Sequence, residues 1–230
     1  MDVVYFVRRG ESNEELRHSL RSLSNIPHRN VYIIGYLPKW VDNVIHIDFQ
    51  QTIRKNKNTT NMLKEVVDVP ELSDNFILMN DDFYIMKKMD SLPKLNRGPL
   101  QDVLDFYAPA NSGYYKGMLE TKEYMESIGL TNLISYELHV PMIMNKKNVK
   151  IMFSEYEKLP KPIKVFNKRT VYGNMFNYGG KSIEDVKVFS LDGKFNKRGD
   201  FLSSDDDYWE NSRIGKYIRK KFSKKGIYEK

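Results

Sequence analysis

The amino-acid sequence predicts an α/β fold, in which a mostly parallel sheet is flanked by helices. Over the first half of the chain, apolar segments of strand length alternate with segments of helical periodicity. Strands separated by short helices require a parallel sheet with right-handed crossovers. The chain has 230 residues, of which 40% are hydrophobic and 29% charged, as in a globular domain with a full core. We therefore expect residues 1–230 to form a single domain.

The first half of the chain supplies the predicted core of the sheet. Strands are predicted at Val3–Val7, Val31–Gly35, Val44–Asp48 and Phe76–Met79, and a helix at Asn58–Val67. Another helix is predicted after the first strand, because Ser12 and Glu15 have the spacing of a capping box. Leu16, Leu20 and Leu23 of that helix fall on one face, which is typical of packing against a sheet.

The second half is less regular. Helices are predicted at Leu100–Phe106 and Met118–Ile128, and an added edge strand at Val186–Phe189. The acidic cluster 205–207 is typical of a helix start, with Ser203 or Ser204 as its cap. Contact of this cluster with a metal or a substrate is the alternative.

The positive charge lies at the carboxyl-terminal end. Residues 211–230 hold eight Lys or Arg and one acid, while the other 210 residues balance at 29 basic and 29 acidic. Within this basic tail, Ile214, Tyr217, Ile218 and Phe222 share one helical face. The sequence predicts an amphipathic terminal helix docked by that face, and contact with a polyanion is the alternative.

Composition excludes several kinds of site. The chain has no Cys and four His, which excludes disulfides, thiolate catalysis and cysteine-ligated zinc and argues against a polyhistidine metal site. Its apolar runs are all shorter than a membrane span. The start at Met1 and Asp2 lacks the pattern of a signal peptide. We expect a cytoplasmic protein.

The most informative segment is the end of the fourth strand, where Asn80, Asp81 and Asp82 follow an apolar run. Open α/β sheets bind ligands at the carboxyl ends of their strands. Two adjacent carboxylates are costly to bury there without a cation, and hard oxygen ligands suit Mg²⁺ or Mn²⁺. The sequence predicts Asp81 and Asp82 as metal ligands that hold a substrate diphosphate. A solvated turn is the alternative.

The end of the first strand is the candidate phosphate site. Arg8, Arg9 and Gly10 precede the start of a helix, in a tight loop that runs to Glu11. Guanidinium groups and the N-terminus of a helix both suit phosphate. Surface arginines are the alternative, because no glycine-rich nucleotide fingerprint is present.

Other candidate residues lie further along the chain. The polar, basic segment 54–61 includes Arg54, Asn58 and Asn61, and we weigh contact with a donor or acceptor against a solvated loop. His139 lies among apolar residues, where it is either a structural histidine or a general base for an acceptor hydroxyl. The segment 169–177 mixes amides, aromatics and a cation, as sugar or base contacts often do; its candidates are catalytic Arg169 and substrate-binding Asn174.

Several motifs resemble the Stealth-type sugar-phosphate transferases and compact phage-type glycosyltransferases. They are the segment 15–23 with Arg17, the strand 31–34 followed by 38–40, the helix start 58–61, the Pro-Glu-Leu-Ser of 70–73, the Asn-Asp-Asp of 80–82, and the His-Val-Pro around His139. The resemblance covers residues 3–90 well and 136–180 more loosely. The opening block differs, with residues 5–10 reading Tyr-Phe-Val-Arg-Arg-Gly.

The resemblance implies a glycosyltransferase-A-like (Rossmann-like) fold and a metal-dependent transferase. Such an enzyme moves a sugar or a sugar 1-phosphate from a nucleotide sugar, most often a UDP-sugar, to an acceptor hydroxyl. By position, Asp81 and Asp82 would bind Mg²⁺ or Mn²⁺ and the diphosphate, and His139 would act at the acceptor. The acceptor is expected to be a glycan or a modified base in DNA. A noncatalytic module that binds a nucleotide sugar or a polyanion is the rival.

Overall fold

A computed structural model describes the chain at residues 1–10 and 12–230. The loop predicted to run from Arg8 to Glu11 is described only as far as Gly10, because Glu11 lies outside the described residues. The strands are β1 (Asp2–Val7), β2 (Val31–Gly35), β3 (Ile45–Ile47), β4 (Asn75–Asn80), β5 (Phe83–Ile85), β6 (Leu95–Asn96), β7 (Met142–Asn145), β8 (Lys181–Ser182) and β9 (Phe201–Ser203). The helices are α1 (Glu14–Ser22), α2 (Lys55–Val66), α3 (Leu100–Tyr107), α4 (Gly113–Ser127), α5 (Lys146–Tyr156), α6 (Lys168–Met175) and α7 (Arg213–Lys221).

The central sheet has the strand order β3-β2-β1-β4-β7. β1 pairs in parallel with both β2 and β4, and β2 pairs in parallel with β3, whereas β7 runs antiparallel to β4. This confirms the predicted α/β fold with a mostly parallel sheet. The third strand is shorter than predicted, and its side chains are largely exposed, because it is an edge strand.

Core residues cover both faces of the central sheet. All six residues of β1 and all five of β2 are buried, as near-continuous apolar strands of a parallel sheet require. Val4 and Phe6 pack with α2 on one face, and Val3 and Tyr5 pack with α1 on the other. The strand directions therefore bring four carboxyl ends to one edge, between two helical layers.

The carboxyl-terminal segment returns to the strand that follows the acidic pair. β9 pairs antiparallel with β5, and α7 packs Ile214 and Ile218 against the Trp209 cluster. The lysines Lys216 and Lys220 on the opposite face of α7 are exposed. Within the described part of the chain, no helix has the length and apolar character needed to cross a bilayer.

The predicted edge strand at Val186–Phe189 is wrong. Lys187 forms only an isolated parallel bridge with Ser203, and Phe189 is 54% exposed. The alternation of side chains is the same for a strand and for a short extended segment, so the pattern does not separate them.

Three helix starts also differ from the prediction. α2 begins three residues before the predicted Asn58. α4 begins earlier than predicted, at Gly113, because the hydroxyl of Ser112 accepts a hydrogen bond from the Tyr115 N–H. The acidic cluster is capped by its own Asp205, whose carboxylate accepts from the Asp207 N–H, and not by Ser203 or Ser204.

Candidate functional site

The candidate site lies where the strand order of the sheet reverses direction. From β1 the chain builds β2 and β3 on one side, and then places β4 on the other side of β1. Phe6 and Asn80, at the ends of β1 and β4, are paired in register. Arg8 directly follows β1 and Asp81 directly follows β4, so the two residues project from neighbouring strand ends. In open α/β sheets this reversal point is where ligands bind.

A cavity of about 460 Å³ opens at this point. Its charged lining consists of Arg8, Arg9, Glu14, Glu15, Asp81, Asp206, Asp207 and Glu210. Gly10 lies in the wall, and Trp209 and Tyr208 add aromatic surface. Arg8 forms an ion pair with Asp206 across the opening. Six carboxyl groups face two guanidinium groups, so the cavity favours a cation.

The two aspartates of the pair have different surroundings. Asp81 lines the cavity and is partly exposed. Burial and the adjacent Asp82 carboxylate raise the pKa of Asp81, although Arg8 and Lys55 oppose the change. Asp82 lies behind the cavity, 7% exposed. Its carboxylate contacts a lysine from a distant segment of the chain.

That partner is Lys187. Its Nζ atom lies 2.8 Å from Oδ2 of Asp82 and 3.7 Å from Oδ2 of Asp205. Burial alone would lower the pKa of Lys187, but the carboxylates of Asp82, Asp205 and Glu15 raise it. The other oxygen of Asp82, Oδ1, is buried and has no hydrogen-bond partner among the described residues. Asp82 therefore binds one cation through Oδ2, and its Oδ1 atom can accept a further ligand.

Glu15 does not form the predicted capping box with Ser12. The N-cap of α1 is Asn13, in the left-handed conformation with φ 42°, and the Glu15 side chain turns inward instead. It accepts a hydrogen bond from the hydroxyl of Ser204, which also bonds the hydroxyl of Tyr84. Burial and the nearby aspartates raise the pKa of Glu15 to about 7. Near neutral pH this carboxyl group therefore carries less negative charge than an ordinary glutamate.

A second cavity, of about 300 Å³, lies on the other side of the Arg8–Arg9 loop. Both arginines line it, with Lys55, Asn58 and Thr59 from the start of α2. Asn58 also fixes the cavity wall: its Oδ1 accepts from the N–H and hydroxyl of Thr52. The two cavities therefore share the Arg8–Arg9 loop. This arrangement suits a ligand whose two halves are joined by phosphate groups, with one half in each cavity.

His139 is held by a carboxylate that the sequence analysis missed. Its Nδ1 atom lies 2.8 Å from Oδ2 of Asp185, and its backbone N–H donates to Oδ1 of the same residue at 3.1 Å. Burial favours neutral Asp185, but the hydrogen bonds from His139 hold the pKa of Asp185 below its ordinary value. The imidazole packs edge-on against Phe83, directly after Asp82, and against exposed Phe189.

Arg169, predicted to be catalytic, lies below the surface at 6% exposure. Its Nη1 atom donates to the carbonyls of Leu138 and Val140, at 2.8 and 2.7 Å. These carbonyls flank His139. The guanidinium also lies over the Phe83 ring, 5.1 Å from its centroid. These contacts make Arg169 a residue that positions the His139 loop.

Several predicted substrate-binding residues are engaged elsewhere. Arg17 pairs with Glu14 and Glu229, and Asn174 ties α6 to both backbone groups of Ile134. Neither lines a cavity described here. Arg54, Asn61 and Asn80 also lie outside both cavity walls of the site. Arg54 precedes α2 as an exposed residue, Asn61 lies within α2, and Asn80 ends β4.

The oxygen ligands of the site fit a divalent cation. Asp81 lines an acidic cavity, and Asp82 Oδ1 is a buried acceptor without a partner. Among residues 1–10 and 12–230, no cluster of three or more His, Asp or Glu side chains has the geometry of a metal site. One or two carboxylates completed by substrate phosphates are, however, the usual protein ligand set for Mg²⁺.

Three functional candidates escaped the sequence analysis: Asp185, Lys187 and Ser204. Lys187 lies within the predicted edge strand Val186–Phe189, and Asp185 directly precedes it. Ser204 was considered only as a helix cap. The sequence does offer one signal for Asp185 and Lys187. Three of the four residues at 184–187 are charged, and they lie outside the basic tail.

Comparison with known proteins gives structural likenesses only. No protein-family model matches the sequence, and no curated protein matches it either. The chain is similar to the galactosyltransferase LgtC crystallised with donor and acceptor sugar analogs, with 15% identity over 79% of this chain and 72% of that one, at a TM-score of 0.47.

Two further solved structures are similar to the chain. Mouse xyloside xylosyltransferase 1 shows 9% identity over 100% of this chain and 96% of that one, at a TM-score of 0.43. The glycosyltransferase GlyE of Streptococcus pneumoniae shows 10% identity over 79% of this chain and 44% of that one, at a TM-score of 0.40.

Proposed function

We propose that this protein is a glycosyltransferase-A-like, metal-dependent transferase that moves a sugar or a sugar 1-phosphate from a nucleotide sugar to an acceptor hydroxyl. One observation carries the proposal: β1 and β4 deliver Arg8, Arg9 and Asp81 to the wall of one cavity at the reversal point of the sheet, with Asp82 buried directly after Asp81. Guanidinium groups suit a diphosphate, and carboxylates suit the cation that accompanies it.

The donor occupies both cavities in this proposal. Arg8 and Arg9 line both of them, so a diphosphate at this loop lies between a nucleoside on one side and a sugar on the other. The hydroxyl and amide groups of Thr52, Asn58 and Thr59 would face the nucleoside. The carboxyl-rich cavity would then hold the sugar, whose hydroxyls hydrogen-bond well to carboxylates.

Asp81 and Asp82 would hold Mg²⁺ or Mn²⁺. When bound, such an ion supplies charge stabilisation to the leaving phosphate. The chain itself contributes the guanidinium groups of Arg8 and Arg9, which lower the cost of bringing a diphosphate beside carboxylates. Arg8 must exchange its contact with Asp206 for the phosphate, since it forms that ion pair in the present structure.

His139 lines neither cavity, but it packs against Phe83, directly after Asp82, and it acts as the general base in this proposal. The carboxylate of Asp185 accepts a hydrogen bond from Nδ1–H, which leaves Nε2 as the acceptor for the proton of the attacking hydroxyl. This division of roles is the one by which a carboxylate sets the tautomer of a catalytic histidine. Exposed Phe189 beside the imidazole offers an aromatic surface for an acceptor sugar.

Product analysis tests the proposal. The protein is incubated with UDP-sugars and Mn²⁺, and UMP is separated from UDP. Attack at phosphorus releases UMP, and attack at the anomeric carbon releases UDP. Release of neither product with any donor, in the presence of glycan and DNA acceptors, would refute the proposed activity.

The exposed cations of α7 favour one particular acceptor as a second candidate. Lys216, Lys220 and Lys221 face solvent, while the apolar face of α7 is buried. A modified base in DNA would gain backbone attraction from these charges. Binding of duplex DNA that weakens steeply between 50 and 200 mM salt, as expected for roughly six phosphate contacts, would support DNA; salt-independent acceptor use would support a glycan.

A further inference from the structure

Lys187 is an anchored counter-ion behind the acidic cavity. Its side chain is 12% exposed and its Nζ atom lies 2.8 Å from Oδ2 of Asp82. The backbone is fixed as well, because Lys187 bridges to Ser203 and the next N–H, of Val188, donates to the Ser203 carbonyl. An ammonium group held in this way cannot move far from the carboxylate. It is part of the site with or without a ligand.

The two oxygens of Asp82 face different situations. Oδ2 accepts from Lys187, whereas Oδ1 is buried without a hydrogen-bond partner among the described residues. A divalent cation at Oδ1 would share one carboxylate with the ammonium group. Repulsion between the two cations is strong at such short range in a partly buried site. A single carboxylate therefore does not offset the repulsion between the two cations.

A diphosphate changes this balance. It brings at least two negative charges to the Arg8–Arg9 loop, beside Asp81. Both a divalent cation and the Lys187 ammonium are attracted to those charges, which offsets their mutual repulsion. Metal and diphosphate are then coupled: each binds better when the other is present, by the same factor.

We propose that Lys187 makes metal binding conditional on the donor diphosphate, so that the cation enters the site together with the nucleotide sugar. The inference rests on the proposed function and adds a binding order to it. Lys187 touches Asp82 and not a reacting bond, so it is a positioning residue. In the absence of nucleotide, Lys187 satisfies Asp82 and keeps the metal affinity low.

Binding measurements on Lys187→Met test this. Titration with Mn²⁺ alone, followed by electron paramagnetic resonance, is expected to show at least tenfold tighter binding in the variant than in the native protein. Titration with UDP in the absence of metal is expected to show at least tenfold weaker binding in the same variant. The enhancement of Mn²⁺ binding by saturating UDP is expected to fall in the variant.

Two control variants make the comparison specific. Lys187→Arg keeps the positive charge and is expected to keep the weak Mn²⁺ binding of the native protein. Lys87→Met removes an exposed lysine that pairs with Asp200, and is expected to change neither affinity. Circular dichroism verifies that each variant is folded; if Lys187→Met does not fold, Lys187→Gln replaces it.

Equal Mn²⁺ affinity in the native protein and the methionine variant would overturn the inference, as would UDP binding that leaves the Mn²⁺ affinity of the native protein unchanged. Failure of the proposed function has a different signature. In that case UDP binds neither protein, whereas the Mn²⁺ titration still reports whether Lys187 suppresses metal binding at Asp82.

Discussion

Asp185 accepts two hydrogen bonds from His139, one from the imidazole Nδ1 at 2.8 Å and one from the backbone N–H at 3.1 Å. The two contacts fix both the ring and the chain from which it projects. Buried Arg169 fixes the same loop by donating hydrogen bonds to the carbonyls of Leu138 and Val140, on either side of His139. The His139 loop is thus held by two residues that lie in other segments of the chain, and the imidazole itself by Asp185.

Asp185→Asn is expected to lower kcat about 100-fold, because an amide does not enforce the tautomer that leaves Nε2 as proton acceptor. KM for the donor is expected to stay within about twofold. The measurement is steady-state transfer over a range of pH. Exposed Asp192→Asn is the control. A normal pH–rate profile in Asp185→Asn would contradict the assigned role.

Asp81→Asn is expected to stabilise the protein while abolishing transfer. Burial and Asp82 raise the pKa of Asp81, so its ionised form costs folding free energy at neutral pH, and the neutral amide removes that cost. We expect a gain of about 1 kcal/mol in urea unfolding, with loss of Mn²⁺-dependent UDP binding. Exposed Asp74→Asn serves as the control. A less stable variant, or unchanged UDP binding, would count against this assignment.

Arg9→Met is expected to weaken UDP binding, because Arg9 lines both cavities. A charge-assisted hydrogen bond to phosphate contributes about 1.5–3 kcal/mol, which corresponds to roughly 10- to 100-fold in Kd. Isothermal titration with UDP measures the effect. Arg54→Met is the matched control, since Arg54 lies outside the walls of both cavities. Equal losses in the two variants would indicate general electrostatic attraction instead.

Two buried carboxylates, those of Glu229 and Asp2, are expected to make the free energy of unfolding decrease at low pH. Burial alone would raise the pKa of Glu229, but hydrogen bonds from Arg21, the Gly226 N–H and Arg17 hold the pKa at about 2. Asp2 is buried too, and its bonds to Arg29 and neighbouring backbone N–H groups likewise hold its pKa at about 2.

Because both folded-state pKa values are depressed, the contribution of these groups is complete above pH of about 4.5, the ordinary range of carboxyl groups. It is lost as pH falls toward 2. Glu229→Gln is therefore expected to cost about 2–3 kcal/mol at pH 7 and little near pH 2. Urea unfolding from pH 7 to 2 measures this, with exposed Glu120→Gln as control. A difference that does not depend on pH would refute the linkage.

The sequence by itself determined the sheet and the position of its acidic and cationic ends. Val3–Val7 and Phe76–Met79 are apolar throughout, and a segment with no polar face is stable only when it is buried on both sides, as in a parallel sheet. Once these segments are parallel neighbours, the residues after them, Arg8 and Asp81, meet at one edge without further information.

Only the tertiary structure decided which partners those residues take. Lys187 lies 105 positions from Asp82, and Asp185 lies 46 positions from His139. Ion pairs over such separations depend on the path of irregular loops, which leave no periodicity in the sequence. Glu15 shows the same limit, since its local spacing predicts a cap for α1 but its carboxyl group bonds Ser204, 189 positions away. Packing brought Ser204 there, and the buried hydrogen bond outweighed the local one.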